Sequence, residues 1–196
     1  MGIESLNIDK IGITARFEVS PHGDLWFVFE QKLLHSFRDY SPKVLVNLIT
    51  PESIPLIDDL DLVVFTGGST PRRDPSRDRF EREIFEKCSE RSVPILGICR
   101  GAQLFAAFSG AGLIPVENHV GEIRKMKGHE SLGICYHKWG MLSLPSQWQI
   151  LSRDSQDETI ELFRHQELPI VGVLAHPERS GKPQAYVEKL LNLFES

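Results

Sequence analysis

The sequence predicts an α/β fold in which a mostly parallel sheet is covered by helices on both faces, a three-layer sandwich. Three observations carry that prediction. Short aliphatic and β-branched runs alternate with helical patterns along the chain. Some of those runs, such as LVVF and PILGI, are apolar on both faces, as strands buried between two helical layers must be. Those same two runs break abruptly into glycine-containing turns, TGGSTP and CRG. The 196 residues suffice for one domain with a sizeable core, spanning 1–196, and are few for two.

Taken in order, IGITARF (11–17) is a β-branched run and reads as the first strand. Leu25, Phe29, Leu33 and Phe37 recur every four positions, which predicts an amphipathic helix over 24–37. KVLVNLI (43–49) is a second strand, followed by a short helix over 51–58. LVVF (62–65) is a third strand, and 77–91 is a helix with Phe80, Ile84 and Phe85 turned inward. PILGI then leads into a helix, GAQLFAAFSGAG, stopped by Gly110 and Gly112. The stretch 113–168 is less regular, with LIPVENHVGEI and SLGICYHKWGMLSL as extended segments between polar loops. ETIELFRH and IVGVLAHP supply two more strands, and YVEKLLNLF (186–194) closes the chain as a helix.

A net charge of −5 argues against an electrostatic binder of nucleic acid or membranes. No apolar run approaches membrane-spanning length, and the first residues lack the apolar core of a signal peptide. MGIESL loosely fits an N-myristoylation pattern, with its serine one position early, and is read as coincidence. Cys88, Cys99 and Cys135 are odd in number and widely spaced, so no disulfide framework or zinc motif is indicated and a cytoplasmic setting is expected. No pair or trio among the seven histidines has metal-ligand spacing beside carboxylates, and no metal is expected.

Chemistry concentrates in the turn after PILGI. G-I-C-R-G has the form of a nucleophile elbow, a sharp strand-to-helix turn in which flanking side chains would clash. It exposes Cys99 at a helix N-terminus, where the helix dipole favours the thiolate. The main-chain N–H of Arg100 then faces any oxyanion that forms. A cysteine nucleophile needs a base, and the base needs a group to fix its tautomer. GVLAHPER offers His176 as base and Glu178 as orienter, stiffened by Pro177, although the same residues would also suit a polar surface turn. Gly67 and Gly68 let main-chain N–H groups approach a ligand and offer a second oxyanion donor, or form an ordinary strand-to-loop turn. In CYHKWG, His137 is a substrate-pocket residue, a second base or a packed histidine, and His119 is equally open. His22, His35, His129 and His165 show no partner pattern.

With GICRGAQ (97–103), TGG (66–68) and HPE (176–178) in this order, the chain resembles the class I glutamine amidotransferases, in the branch of the γ-glutamyl hydrolases. KIGITAR, RDRFE (77–81) and YHKWG extend the similarity over most of the sequence. The resemblance implies a flavodoxin-like fold and attack by Cys99 on the carbonyl of a γ-glutamyl group, with His176 and Glu178 completing a triad. It further implies that Gly68 and Arg100 donate to the oxyanion, that Gln103 contacts the bound γ-glutamyl group, and that no metal or organic cofactor is needed. The expected partner is a small-molecule γ-glutamyl substrate. The chain resembles the free-standing hydrolases, including those that cleave γ-glutamyl-CDP-amidate in surface-polysaccharide modification. The alternative within the family is a glutaminase subunit passing ammonia to a synthetase. Ala175 stands where many relatives carry an aromatic, and Cys135 and Tyr136 where relatives often carry Asn-Ser. Both departures concern the pocket.

Overall fold

The computed structural model describes residues 8–128 and 133–194, apart from the Pro55 side chain. The N-terminal acylation pattern, His129 and the first residues of SLGICYHKWGMLSL lie outside the described residues. Seven strands form the main sheet: β1 (Lys10–Thr14), β2 (Leu45–Ile49), β3 (Leu62–Phe65), β4 (Ile95–Ile98), β5 (Trp148–Arg153), β6 (Ile160–His165) and β7 (Ile170–Val173). Their spatial order is β5-β6-β7-β4-β3-β1-β2. Neighbours from β7 through to β2 are parallel, and β6 runs against both of its neighbours. From β1 the chain steps outward to β2 and then back across to β3, the reversal that opens a crevice at the carboxyl ends of the strands in doubly wound folds.

Alternation within the strands builds two cores. Leu62 and Val64 of β3 face one side with Ile11, Ile13, Leu96 and Val173, beneath α1 (Gln31–Tyr40) and α4 (Pro183–Leu191), which contribute Leu33, Phe37, Val187 and Leu190. Val63 and Phe65 face the other side with Ile95, beneath α2 (Pro75–Arg91) and α3 (Arg100–Phe108), which contribute Phe80, Ile84, Ala102 and Phe105. The arrangement is the flavodoxin-like three-layer sandwich that the sequence predicts. At the start of α2, Asp74 accepts the N–H of Arg77 at 3.1 Å and Pro75 sits at the first helical position, where its missing donor costs nothing. No helix among the described residues is long and apolar enough to cross a membrane.

One expectation is corrected. Residues 24–37 do not form one helix: Leu25–Val28 pairs antiparallel with Arg16–Val19, and α1 begins at Gln31. Trp26, Phe27 and Val28 favour a strand, Phe27 packs edge-on against Phe17 at 5.4 Å, and Ser20 closes the turn by accepting the N–H of Asp24. The strand β5 went unpredicted because it is an edge strand carrying Gln149, Ser152 and Arg153, with irregular register after Ile150. The short helix expected over 51–58 is present, as a 3-10 helix, Pro51–Asp59. The irregular stretch does hold extended segments: Ile114–Pro115 pairs with Trp139–Gly140, and Val120–Glu122 with Cys135–Tyr136.

Candidate functional site

Cys99 stands between β4 and α3 with φ 52° and ψ −102°, in left-handed backbone that a side chain adopts at a cost of about 1–3 kcal/mol. Two main-chain hydrogen bonds hold it there. Its N–H donates to the Val173 carbonyl on β7 at 2.7 Å, and its own carbonyl accepts from Gln103 N–H at 3.0 Å. A Cβ on Gly101 would lie 2.5 Å from the Phe65 carbonyl oxygen, and one on Gly97 would lie 2.8 Å from the Ala102 nitrogen. Neither position has room for a side chain, so the tight turn read from G-I-C-R-G is present.

Three adjacent strands bring the sequence-predicted residues together at their carboxyl ends. β3 ends in Gly67 and Gly68, β4 in Cys99, and β7 leads to His176. Glu178 follows on the 3-10 turn Pro177–Arg179, and its Oε1 lies 2.5 Å from Nδ1 of His176. Burial of His176 works against its charged form. Hydrogen bonds from the imidazole to Cys99 and to Glu178 outweigh that effect and push its pKa up to about 9. A Cβ on Gly67 would lie 2.7 Å from His176 Cε1 and 3.8 Å from Cys99 Cβ, so this glycine forms the wall that imidazole and thiol share. The sulfur is less open than the elbow motif implies. Cys99 is only 4% exposed, beside a crevice of about 20 Å³ lined by Gly67, Glu178 and Arg179. The edge of the Tyr136 ring approaches the His176 ring at a centroid distance of 5.8 Å, and Arg179 stacks on Tyr136 while pairing with Glu30.

Beneath the glycine pair lies a polar brace that the motif reading did not single out. Arg77 is 2% exposed, and its guanidinium donates to the Gly67 carbonyl at 3.2 Å, to the Thr66 carbonyl at 3.2 Å and to Thr66 Oγ1 at 2.9 Å. Glu81, one helical turn on, accepts from Arg77 and from Thr14 Oγ1 and pairs with Arg100. In a trans peptide the carbonyl and the following N–H point in opposite directions. With the Gly67 carbonyl held by Arg77, the Gly68 N–H points away from the brace. The signal was available in the sequence: Arg77 and Glu81 fall on the inward stripe of α2 with Ile84 and Cys88.

The remaining sequence-predicted residues are placed as follows. Arg100 contributes its main-chain N–H at the start of α3, while its fully buried side chain turns down to Glu81 and Asp78. Gln103 is buried one turn into α3, and its Nε2 donates to the Trp139 carbonyl at 2.7 Å. His137 does not join Cys99 and His176. Its ring is buried against His119 and Glu161, within a group of potential metal ligands that includes Cys135. Cys88 sits under α2, and burial pushes its thiol up to about 12, consistent with a packing role.

Beyond the elbow, a cavity of about 390 Å³ opens between the loop Thr70–Arg73 and the distal end of α3, with Trp139 on its wall. Arg72 and Arg73 are exposed there, and neither has an ion-pair partner among the described residues.

Comparison with known proteins gives the family and the fold. Residues 24–192 match the family model for glutamine amidotransferase class-I. A Campylobacter jejuni γ-glutamyl-CDP-amidate hydrolase is 35% identical over 106 residues, 54% of this chain and about half (52%) of that protein. The glutamine-hydrolysing GMP synthase of Pyrococcus abyssi has a subunit that is 33% identical over 150 residues, 66% of this chain and 74% of that one. A crystal structure of a Thermotoga maritima glutamine amidotransferase superposes with a TM-score of 0.64 at 18% identity, covering 96% of this chain and 91% of that one. The chain belongs to the class I glutamine amidotransferase family.

Proposed function

We propose that this class I glutamine amidotransferase hydrolyses a γ-glutamyl amide, with Cys99 as nucleophile, His176 as acid and base, and Glu178 as its orienter. The observation that carries the reading is the contact of Cys99, His176 and Glu178 at the ends of neighbouring strands, against the Gly67–Gly68 turn. The Cys99 thiolate attacks the γ-carbonyl carbon. The oxyanion accepts hydrogen bonds from the N–H groups of Gly68 and Arg100, and the His176 imidazolium protonates the leaving nitrogen. The neutral imidazole then takes a proton from water. The resulting hydroxide attacks the thioester carbonyl, and glutamate leaves as the thiolate re-forms. Gln103, one turn along α3, is assigned to the glutamyl moiety, and the chain is assigned to act as one domain in a reducing cytoplasm, where its three free thiols are stable.

The cavity beyond the elbow supports γ-glutamyl-CDP-amidate as a substrate. Its unpaired Arg72 and Arg73 suit a diphosphate, and the Trp139 ring suits a pyrimidine. The Campylobacter jejuni relative carries that activity in its name. A glutaminase subunit serving a synthetase is the second reading, favoured by similarity to GMP synthase and anthranilate synthase subunits. The pure chain is incubated separately with glutamine, simple γ-glutamyl amines and γ-glutamyl-CDP-amidate, and released glutamate is measured. The proposal expects turnover of the nucleotide substrate, with KM raised about tenfold or more in Arg73→Ala for that substrate alone. Glutamine hydrolysis that needs an added synthetase establishes the second reading instead.

A further inference from the structure

We infer that His119, Cys135, His137 and Glu161 form a buried four-coordinate zinc site that fastens the 133–140 segment to the main sheet. Nδ1 of His119 and Nε2 of His137 face each other at 3.3 Å. Glu161 Oε1 lies 3.5 Å from the first nitrogen and 3.7 Å from the second, and its Oε2 lies 3.8 Å from the Cys135 sulfur. The sulfur and both nitrogens fall within 4.8 Å of one another. A tetrahedral zinc with ordinary Zn–N, Zn–O and Zn–S bonds spaces its ligand atoms about 3.3–3.6 Å apart. The two inner nitrogens and Glu161 Oε1 stand close to three such edges, and the sulfur lies within 4.8 Å of both nitrogens while facing the other Glu161 oxygen.

The direction of the protons supports a cation. His119 turns Nε2 to the Asp157 carboxylate at 2.7 Å, and His137 turns Nδ1 to the Trp139 carbonyl at 3.1 Å. Both partners are acceptors, so both outer nitrogens carry the hydrogen, and the neutral form of each ring turns its lone pair inward. Two imidazole nitrogens and a thiol thus converge beside a carboxylate, with all four residues at most 3% exposed. Among the described residues no arginine or lysine pairs with Glu161. Arg124, the nearest in the network, is taken by Asp154 at 2.7 and 2.9 Å and by Asp157 at 3.2 Å. A divalent cation balances one thiolate and one carboxylate there, and carboxylate or carbonyl contacts at the outer nitrogens are what ligating histidines ordinarily make. The mixed nitrogen, sulfur and oxygen set favours zinc over the hard cations, and four protein ligands without an open position suit a structural role.

The other two candidate groupings are already satisfied. Glu30 pairs with Arg179 beside His176 and Glu178, and Asp154 is held by Arg124 beside His119 and Asp157. The four proposed ligands come from three places in the fold: the loop before Val120–Glu122, the strand Cys135–Tyr136 with the residue after it, and β6. Ile134, next to Cys135, accepts the main-chain N–H of His176 at 2.9 Å, so the same segment backs the candidate base. The sequence reading expects no metal because it looks for ligands close together in the chain. Here Cys135 and His137 are two apart, and the other two lie far from them in sequence.

The test uses the full chain with Cys88 and Cys99 both replaced by alanine, leaving Cys135 as its only cysteine. Metal analysis of the purified protein is expected to give about one zinc per chain. Exchange for Co²⁺ is expected to give the intense visible bands of tetrahedral cobalt together with a thiolate-to-cobalt charge-transfer band, which only Cys135 can supply. Zinc removal by a chelator lowers Tm, and Zn²⁺ but not Mg²⁺ restores it. His119→Gln in the same background loses the cobalt spectrum. Protein that purifies without zinc and gives no charge-transfer band, or a band unchanged by His119→Gln, overturns the inference. A Tm indifferent to the chelator and to added zinc overturns the structural role.

Discussion

Among the described residues two buried clusters combine cysteine, histidine and glutamate, and they differ in backbone and in how many imidazoles face the sulfur. Cys99 sits in strained left-handed backbone at a helix start, whereas Cys135 lies on the two-residue strand Cys135–Tyr136. His176 turns one nitrogen to Glu178 and offers the other to a single sulfur, so a proton has somewhere to go and somewhere to return from. His119 and His137 both tie their outer nitrogens to acceptors and turn their inner nitrogens toward each other, beside Cys135. The first arrangement suits the proposed proton transfer, and the second suits the proposed zinc. Residue type alone does not separate a nucleophile from a ligand set. The backbone at the sulfur and the number of imidazoles that face it do.

The sharpest way to break that contrast is Cys99→Ala, expected to lower glutamate release by about 10³-fold or more while the fold, read by circular dichroism, is kept. Near-normal turnover in that variant would remove Cys99 from the chemistry. Gly67→Ala places a methyl 2.7 Å from His176 Cε1 and displaces the imidazole, with an expected fall of about 10²-fold in kcat. An unaffected kcat contradicts the shared wall between thiol and base.

Glu178→Gln is milder, since Glu178 orients a proton carrier and transfers nothing. In the wild type the imidazolium form lasts until pH rises through about 9, which sets the alkaline limb of the rate profile. Removing the carboxylate moves that limb to lower pH, and a limb that stays in place contradicts the role given to Glu178. The same raised pKa stabilises the fold fully below the ordinary histidine value of 6.5, a contribution lost as pH rises through about 9. Smallest is the backbone effect. Cys99→Gly is expected to be more stable than Cys99→Ala by about 1 kcal/mol, because glycine relieves the positive φ. Equal Tm values for the two variants refute the strain.

The reach of the sequence follows the same division. β3, β4 and β7 are apolar on both faces, and each runs directly into the residue it positions, so the strands, the elbow and the pairing of His176 with Glu178 are legible locally. The hairpin at 16–28 was hidden by a period of four among Leu25, Phe29, Leu33 and Phe37, since tertiary pairing of Phe27 with Phe17 decided the local structure. Arg77 lies in the RDRFE stretch that carries part of the resemblance, but no role attaches to it there, and its bond to the Gly67 carbonyl needed the fold. The cluster around His119 was not legible at all. Glu161 reaches it from β6 and His119 from a loop 42 residues earlier, and no local spacing encodes that meeting.

The reactive role of Cys99 is tested most directly by labelling the intact protein with an electrophilic glutamine analogue that carries a diazoketone, then mapping the adduct by peptide mass spectrometry. The account predicts a single adduct on the peptide carrying Cys99, with Cys88 and Cys135 unmodified and glutamate release lost in step with labelling. An adduct on either of the other two cysteines, or full labelling of Cys99 with activity intact, contradicts it.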